Sequence, residues 1–283
     1  MRVDQRMPAP NAVAAGQTTT FRLPVGRRYH ALHLLGSATT FAPSDLTDIR
    51  IKPNQKVIQS YSGAHRDKMN QFDGREAAAI SAASFHLVIP FDRYGLMTLQ
   101  GEEETALNTG SLDPNTGKII SSLDVEIDLS GAGGITGTPS LRMYATTSER
   151  LDGGPGTVPH MRRFTKDFAG ADTYDIADIG RGGETTQFIN RIWLLPSTGT
   201  LENLKVEADT YTLFERTAAL NERAQRDGIR VPQNDYYVID RTEHGYGGDP
   251  FDVRALDDFR VKVDTSGAMS LTGYVEYLGG IGD

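Results

Sequence analysis

The sequence predicts an all-β chain built as two tandem jelly-roll β-sandwiches with short inserted helices. Three observations predict this fold. Short alternating strands dominate the 283 residues, one order of features occurs twice, and a stretch rich in Gly and Pro separates the two occurrences. A chain of this length holds two domains of the usual size. Its 30 glycines suit frequent turns between short strands.

The strand pattern is clearest in the segment from Ser122 to Leu129. Leu123, Val125 and Ile127 alternate there with acidic residues. Successive side chains of a strand point to opposite faces, so this pattern predicts a strand with one buried and one solvated face.

The second half of the chain repeats the order of the first half. The paired segments are Leu46–Ile51 with Leu201–Val206, Lys56–Tyr61 with Thr210–Phe214, the polar helical stretches Ala64–Phe72 with Thr217–Arg226, Ser84–Ile89 with Asp235–Ile239, Leu123–Asp128 with Phe259–Asp264, and Leu141–Tyr144 with Tyr274–Tyr277. Each helical stretch is followed by Asp-Gly, and Gly favours the left-handed conformation that ends a helix. About seven or eight strands per half, with one inserted helix, predict a jelly roll in each half.

The domain boundaries follow from this repeat. We predict a flexible N-terminal arm over residues 1–16, a first jelly roll over 17–148, a linker over 149–160 and a second jelly roll over 161–283. The arm lacks the apolar core of a signal peptide. No stretch reaches the roughly 18–20 apolar residues that span a bilayer.

Composition disfavours several classes of function. The formal net charge is -8 and no Lys/Arg stripe occurs, so direct binding to nucleic acid is not expected. The chain has no cysteine, which rules out disulfides and cysteine nucleophiles.

The residue pattern gives little support to the hypothesis of an enzymatic function. Metal-dependent cupins use a His-x-His pair, whereas His30 and His33 are three residues apart and point to opposite faces of a strand. Trp193 lies in a strongly apolar run, which predicts a core residue instead of a sugar platform. We therefore expect no catalytic residues and no organic cofactor.

An acidic segment near the C-terminus is the one candidate for metal binding. Asp249, Asp252, Asp257 and Asp258 supply the oxygen ligands that calcium prefers. Their spacing does not match an EF-hand loop, and a solvated acidic loop is the competing interpretation.

Several short segments, in order, resemble the major capsid proteins of corticoviruses, within the double-jelly-roll lineage shared with tectiviruses and adenoviruses. The segments are Asn11–Gly16, Phe21–Gly26, Ser84–Pro90, Met161–Phe164, Asp175–Ile179, Phe259–Asp264 and Val275–Tyr277. They extend over nearly the whole chain, but residues 92–120 and 240–257 match poorly.

This resemblance implies a major capsid protein, not an enzyme, of a tailless icosahedral bacteriophage with an internal membrane. Homotrimers would form pseudo-hexameric capsomers that tile the virion shell. The partners would be neighbouring capsomers, minor capsid and membrane-associated virion proteins, and peripherally the membrane itself. The chain would be soluble in the host cytoplasm before assembly. The family is also linked to calcium, although no matched motif holds a ligand.

The matched motif at Arg162, Arg163 and Phe164 combines charge with an aromatic ring, as interfaces often do. We expect these residues to form contacts between the two jelly rolls or between subunits. Two alternatives stay open: a bicupin-like or glycan-active enzyme, and a carbohydrate-binding spike module. The spike module would expose loop aromatics, for which Tyr94, Tyr246 and Phe251 are candidates.

Overall fold

The computed structural model describes residues 1–131 and 133–282. The chain divides into two compact units, residues 1–159 and residues 160–282. Strands dominate both units, which confirms the predicted all-β class.

The first unit consists mainly of short antiparallel strands. They are β1 (Val3–Arg6), β2 (Thr18–Leu23), β3 (Arg27–Ser37), β4 (Leu46–Pro53), β5 (Gln59–Tyr61), β6 (Ala79–Ser81), β7 (Ser84–Pro90), β8 (Leu107–Asn108), β9 (Leu123–Leu129) and β10 (Ser140–Glu149). One sheet has the order β1-β10-β3-β7-β6, with β8 also pairing β3. The other pairs β5, β4, β9 and β2 in that order.

The second unit has strands of the same kind. They are β11 (Val158–Phe168), β12 (Thr173–Ile176), β13 (Phe188–Pro196), β14 (Leu201–Ala208), β15 (Tyr211–Thr217), β16 (Tyr237–Asp240), β17 (Phe251–Asp252), β18 (Phe259–Thr265) and β19 (Met269–Gly279). One sheet has the order β16-β13-β19-β11, with β17 also pairing β13, and the other has the order β12-β18-β14-β15.

The two units share one topology. When β6, β8 and β17 are set aside, each unit has eight strands in its described residues. The first, eighth, third and sixth strands form one sheet, and the second, seventh, fourth and fifth form the other. This is the jelly-roll order in both halves. Topology therefore confirms the internal repeat that the sequence predicts.

Burial follows the predicted alternation. β9 and β18 have the same pattern, in which every second side chain is buried. β4 and β14 also share their pattern of buried and exposed positions residue for residue. Leu204, Val206, Val261 and Val263 pack in the core of the second unit. Trp193 is also buried, as predicted.

Short helices lie between the strands. They are α1 (Gly63–Phe72), α2 (Leu99–Glu103), α3 (Ala218–Gln225) and a 3-10 turn at Pro43–Asp45. The Ser62 hydroxyl caps α1 and the Thr217 hydroxyl caps α3, each accepting a backbone N–H three residues later. Gly74 and Gly228 after these helices have positive φ, as predicted. α1 and α3 occupy the same place in the two units, between the fifth and sixth strands.

Two boundary predictions need correction. The expected flexible arm over residues 1–16 is wrong for β1, because Val3–Arg6 pairs antiparallel with Thr147–Tyr144 of β10. Its ladder hydrogen bonds and the buried Met7 beside it hold this segment. The expected linker over 149–160 also overlaps strand ends, since β10 extends to Glu149 and β11 begins at Val158.

Candidate assembly surfaces and polar clusters

The predicted interface residues lie on β11 in the second unit. Phe164 covers Gly273 of β19 so closely that a Cβ at position 273 would lie 2.0 Å from Phe164 Cζ. Arg162 donates to Thr185 Oγ1 at 2.8 Å, and its guanidinium lies 5.7 Å from the centre of the Tyr277 ring. Arg163 is exposed. The contacts of Arg162 and Phe164 described here thus lie within the second unit, and Arg163 is left on its surface.

The structure does not bring the four calcium candidates together as a ligand set. Asp249 pairs with Arg241, Asp252 pairs with Arg254, and Asp258 pairs with Arg260. The Asp257 backbone N–H instead donates to Asp209 Oδ1 at 3.0 Å.

Arginine guanidiniums pair with the carboxylates of three of the four candidates, Asp249, Asp252 and Asp258. Throughout residues 1–131 and 133–282, no group of three or more His, Asp or Glu side chains is placed to hold a metal ion. Ion pairing of these three carboxylates weighs against a shared calcium site in this segment.

The loop aromatics proposed for a spike module have different environments. Tyr94 and Tyr246 are exposed, whereas Phe251 is buried in the core of the second unit beside Phe259. The expectation of an exposed Phe251 is wrong because this residue belongs to β17, which pairs with β13.

A buried ionic cluster in the second unit was not predicted from the sequence. Asp240, at the end of β16, accepts from Arg191 Nε at 3.1 Å and from Arg230 Nε at 2.6 Å. The Thr242 hydroxyl donates to Asp240 Oδ1 at 2.7 Å and accepts from both arginines. Asp240 is 1% exposed. Burial alone would raise the pKa of its carboxyl, but Arg191, Arg230 and Thr242 hold that pKa below its ordinary value.

A repeated asparagine links each inserted helix to the neighbouring strand. Asn70 of α1 donates to the Val88 carbonyl at 2.7 Å, and Asn221 of α3 donates to the Val238 carbonyl at 2.8 Å. Both asparagines are buried. The paired segments Ser84–Ile89 and Asp235–Ile239 contain these valines, so similar helix-to-strand spacings were a signal that could have identified the pair.

The N-terminal segment of the first unit carries its own charged cluster. Arg2 donates to Asp92 Oδ2 at 3.0 Å and to Glu103 Oε1 at 2.6 Å. His30, buried on β3, contacts the Asp92 carboxylate at 3.0 Å and Ser148 Oγ at 2.8 Å. His30 contacts Ser148, and His33 contacts Thr146, two residues away on the same face of β10. The prediction that His30 and His33 face opposite sides of β3 is therefore wrong, because the register of β3 against β10 shifts between the two histidines.

A row of polar side chains crosses the outer face of the first sheet. His86 Nε2 lies 3.0 Å from His33 Nδ1, His33 Nε2 lies 3.1 Å from Thr146 Oγ1, and Thr146 donates to Asp4 Oδ1 at 2.5 Å. Burial, reinforced by His86 and Arg75 and opposed by Asp4, lowers the pKa of His33. Burial and Arg75 also lower the pKa of His86.

Exposed apolar side chains mark an edge of the second unit. Tyr211, 73% exposed, and Leu213 lie on β15, the edge strand of its sheet. They line a shallow surface groove together with Pro250 and Leu256. Apolar groups of this kind on a surface suit contacts with another protein.

Among the described helices, none is long and apolar enough to cross a bilayer.

The comparisons with known proteins agree with this architecture. The model of the viral coat protein P2 N-terminal domain matches residues 4–148, and that of the viral coat protein P2 C-terminal domain matches residues 158–281. A curated relative, the major capsid protein P2 of Pseudoalteromonas phage PM2, is 23% identical over 95% of this chain and 94% of its own length.

Solved structures show the same fold. The crystal structure of the major capsid protein P2 from bacteriophage PM2 covers 99% of this chain and 97% of its own, with a TM-score of 0.84 at 20% identity. The STIV major capsid protein, from Sulfolobus Turreted Icosahedral Virus, covers 98% and 97% with a TM-score of 0.69 at 11% identity. The PBCV-1 virus capsid chain covers 98% and 93% with a TM-score of 0.62 at 10% identity.

Two tandem jelly rolls that match viral capsid subunits over almost their full length define a double-jelly-roll coat protein. The two family models together span nearly the whole chain, and the chain belongs to the viral coat protein P2 family. It is a structural component of the virion, a major capsid protein of the PM2 type that assembles with itself, and not an enzyme. This excludes the bicupin-like and glycan-active alternatives.

Proposed function

We propose that the chain forms homotrimers whose six jelly rolls make a pseudo-hexameric capsomer. The single observation that carries this proposal is the shared topology of the two units, down to the same burial pattern in β4 and β14. Three copies of a chain with two like units present six similar bodies around one axis. A cyclic arrangement of this kind is a common closed symmetry for a homo-oligomer.

Such capsomers would tile the icosahedral shell of a tailless virus around an internal membrane. Neighbouring capsomers, minor capsid proteins and membrane-associated virion proteins are the partners in this proposal, with peripheral contact to the membrane. Before assembly the chain would be soluble in the host cytoplasm. The net charge of -8 weighs against direct contact with the genome.

Arg163 is the residue of the predicted motif best placed for a subunit contact. Arg162 and Arg163 are both exposed on β11, but Arg162 already donates to Thr185 and Phe164 covers Gly273 within the second unit. Arginine is enriched in protein interfaces because its planar guanidinium can pair and stack at once.

Native mass spectrometry of the purified full-length chain tests the trimer. We expect a species of three times 30.9 kDa and particles of hexagonal outline in negative stain. Arg163→Glu should reduce trimer yield, whereas Arg223→Glu, on the exposed surface of α3, serves as the matched control. A monomer at all concentrations would contradict the trimer, and an unchanged yield for Arg163→Glu would contradict its role in the interface.

A further inference from the structure

The segment between the sixth and seventh shared strands is longer in the first unit than in the second. It covers residues 91–122 in the first unit and residues 241–258 in the second. Each segment contains a two-residue strand that pairs with the third strand of its unit, β8 with β3 and β17 with β13. The second residue of this short strand is Asn108 in the first unit and Asp252 in the second. The two side chains have different surroundings, because Asn108 is buried and Asp252 is exposed.

Asn108 binds the linker that follows β10. Its side-chain nitrogen Nδ2 donates to the Leu151 carbonyl at 2.8 Å and to the Gly154 carbonyl at 2.7 Å. Its Oδ1 accepts the Leu151 N–H at 3.1 Å. A primary amide has two N–H donors and one oxygen acceptor. Both donors and the oxygen of this side chain are therefore bonded to the linker backbone.

The residues after β8 add further contacts to the linker. The Gly154 N–H donates to Ser111 Oγ at 3.1 Å, and Arg150 Nη1 donates to the Gly110 carbonyl at 2.8 Å. Gly154 has a φ of 91°, and a Cβ at this position would lie 2.5 Å from Asp113 Cβ. Glycine alone suits such a conformation and so close an approach. The linker backbone therefore lies directly against the segment that is longer in the first unit.

A second buried amide of the first unit binds the far end of the linker. Gln59 of β5 donates from Nε2 to the Pro159 carbonyl at 3.0 Å, and the Tyr61 hydroxyl donates to Gln59 Oε1 at 2.9 Å. Gln59 is buried, and Pro159 is the last linker residue that belongs to the first unit. Side chains of the first unit thus fix the linker near its beginning and again at this end.

We propose that linker residues 150–155 form a strap, fastened to the first jelly roll by Asn108, and that the longer segment of the first unit serves to hold this strap. The strap keeps the connection between the two jelly rolls from acting as a flexible hinge, because its backbone groups are bonded to the first unit. In the second unit the corresponding side chain, Asp252 of β17, instead pairs with Arg254.

Limited proteolysis of the full-length protein with trypsin tests the strap at Arg150, which is exposed. A protease must draw several residues around the cut bond into an extended conformation, so cleavage after Arg150 requires the strap to open. Asn108→Asp, which introduces the residue type of the second unit, removes both N–H donors and places a carboxylate against two carbonyl groups. We expect the rate of cleavage after Arg150 to rise at least about tenfold, the worth of two lost hydrogen bonds. Hydrogen exchange measured by mass spectrometry should show a matching loss of protection in residues 150–155.

Two further variants separate the strap from a general loss of stability. Ser111→Ala removes one hydrogen bond to the strap and should raise the cleavage rate about two- to fivefold. Asn115→Asp makes the same chemical change at an exposed position of the same segment and should be cleaved like the wild type. An unchanged rate in Asn108→Asp would overturn the proposal. Wild-type cleavage after Arg150 as fast as in a free peptide of the same residues, or a loss of exchange protection in Asn108→Asp that is equal throughout the first unit, would overturn it too.

Discussion

The two jelly rolls hold the same helix in the same place by different means. In the first unit, Met69 and Phe72 of α1 are buried, so apolar packing contributes much of the attachment. In the second unit, the buried residues of α3 are Asn221 and Gln225, and both donate to the Val238 carbonyl. The strand whose carbonyl accepts from the helix asparagine is β7 in the first unit, which ends at Pro90, and β16 in the second unit, which ends at Asp240.

This difference shows what the duplicated topology requires and what it leaves free. A buried asparagine that bonds to the sixth strand is present in both units. The first unit adds the buried apolar side chains Met69 and Phe72 and an Arg66–Asp73 ion pair on the helix, whereas the second unit adds the buried Asp240 cluster at the end of the strand. Hydrogen bonding of the strand carbonyl is thus the shared element, and the source of the remaining stability differs between the units.

We expect the largest loss of stability from a substitution in the buried Asp240 cluster of the second unit. Asp240→Asn leaves Arg191 and Arg230 without their buried counter-charge, which should cost about 3–5 kcal/mol of unfolding free energy. Urea unfolding followed by Trp193 fluorescence measures this, because the chain's one tryptophan is buried in the second unit. Asp252→Asn, whose partner Arg254 is exposed, is the control. Equal midpoints for the two variants would contradict the role of the cluster.

The same cluster predicts a pH dependence. The folded-state pKa of Asp240 is held below the ordinary 3.8, so its contribution is present above that value and is lost as the pH falls through the lower one. The difference in stability between wild type and Asp240→Asn should stay constant down to about pH 5 and narrow below the ordinary value. If the difference in stability between wild type and Asp240→Asn narrowed already near neutral pH, the lowered pKa of Asp240 would be contradicted.

An intermediate effect is expected at the shared asparagines. Asn70→Ala leaves the Val88 carbonyl without its side-chain donor, which should cost about 1–3 kcal/mol. Asn221→Ala should cost less, because Gln225 Nε2 still donates to the Val238 carbonyl at 2.6 Å. Hydrogen exchange of peptides from β7 and β16 compares the two. If Asn221→Ala lost more exchange protection than Asn70→Ala, our interpretation of how the two helices are held would be contradicted.

The smallest effect should come from the charged outer faces of the sheets. Arg50 of β4 pairs with Asp48 and with Asp128 of β9, and these guanidinium hydrogen bonds lower the pKa of Asp128. Arg50→Gln should cost less than about 1 kcal/mol because the pairs are partly exposed. The loss should shrink further at high salt, which urea unfolding at two ionic strengths measures. A loss that does not depend on salt would point to packing and not charge.

Local patterns in the sequence account for much of the fold. Alternation in Leu123–Leu129 and Phe259–Thr265 predicts strands that the structure contains with matching burial. The Asp-Gly pairs predict where α1 and α3 end. By contrast, β1 was not predicted, because Val3–Arg6 has no strong alternation and gains its order by pairing with β10, far along the chain.

The polar clusters could not be predicted for the same reason. Asp240 and Arg191 are 49 residues apart, and His33 and His86 are 53 apart. Strand register alone brings such residues together. The ion pairs of the acidic run near Asp249 with arginines such as Arg241 were likewise not evident from the sequence.

The lengths of the outermost strands bear on how a coat protein avoids precipitation while it accumulates in an infected cell. Of the strands that end the sheets, β1, β6, β12 and β16 have only three or four residues each, whereas β2 has six and β15 has seven. Short edge strands expose few unpaired backbone N–H and C=O groups with which another polypeptide could pair. At these four edges the growth of disordered β-fibres is thereby disfavoured, and lateral recognition between subunits is left to side chains, which can be orderly and reversible.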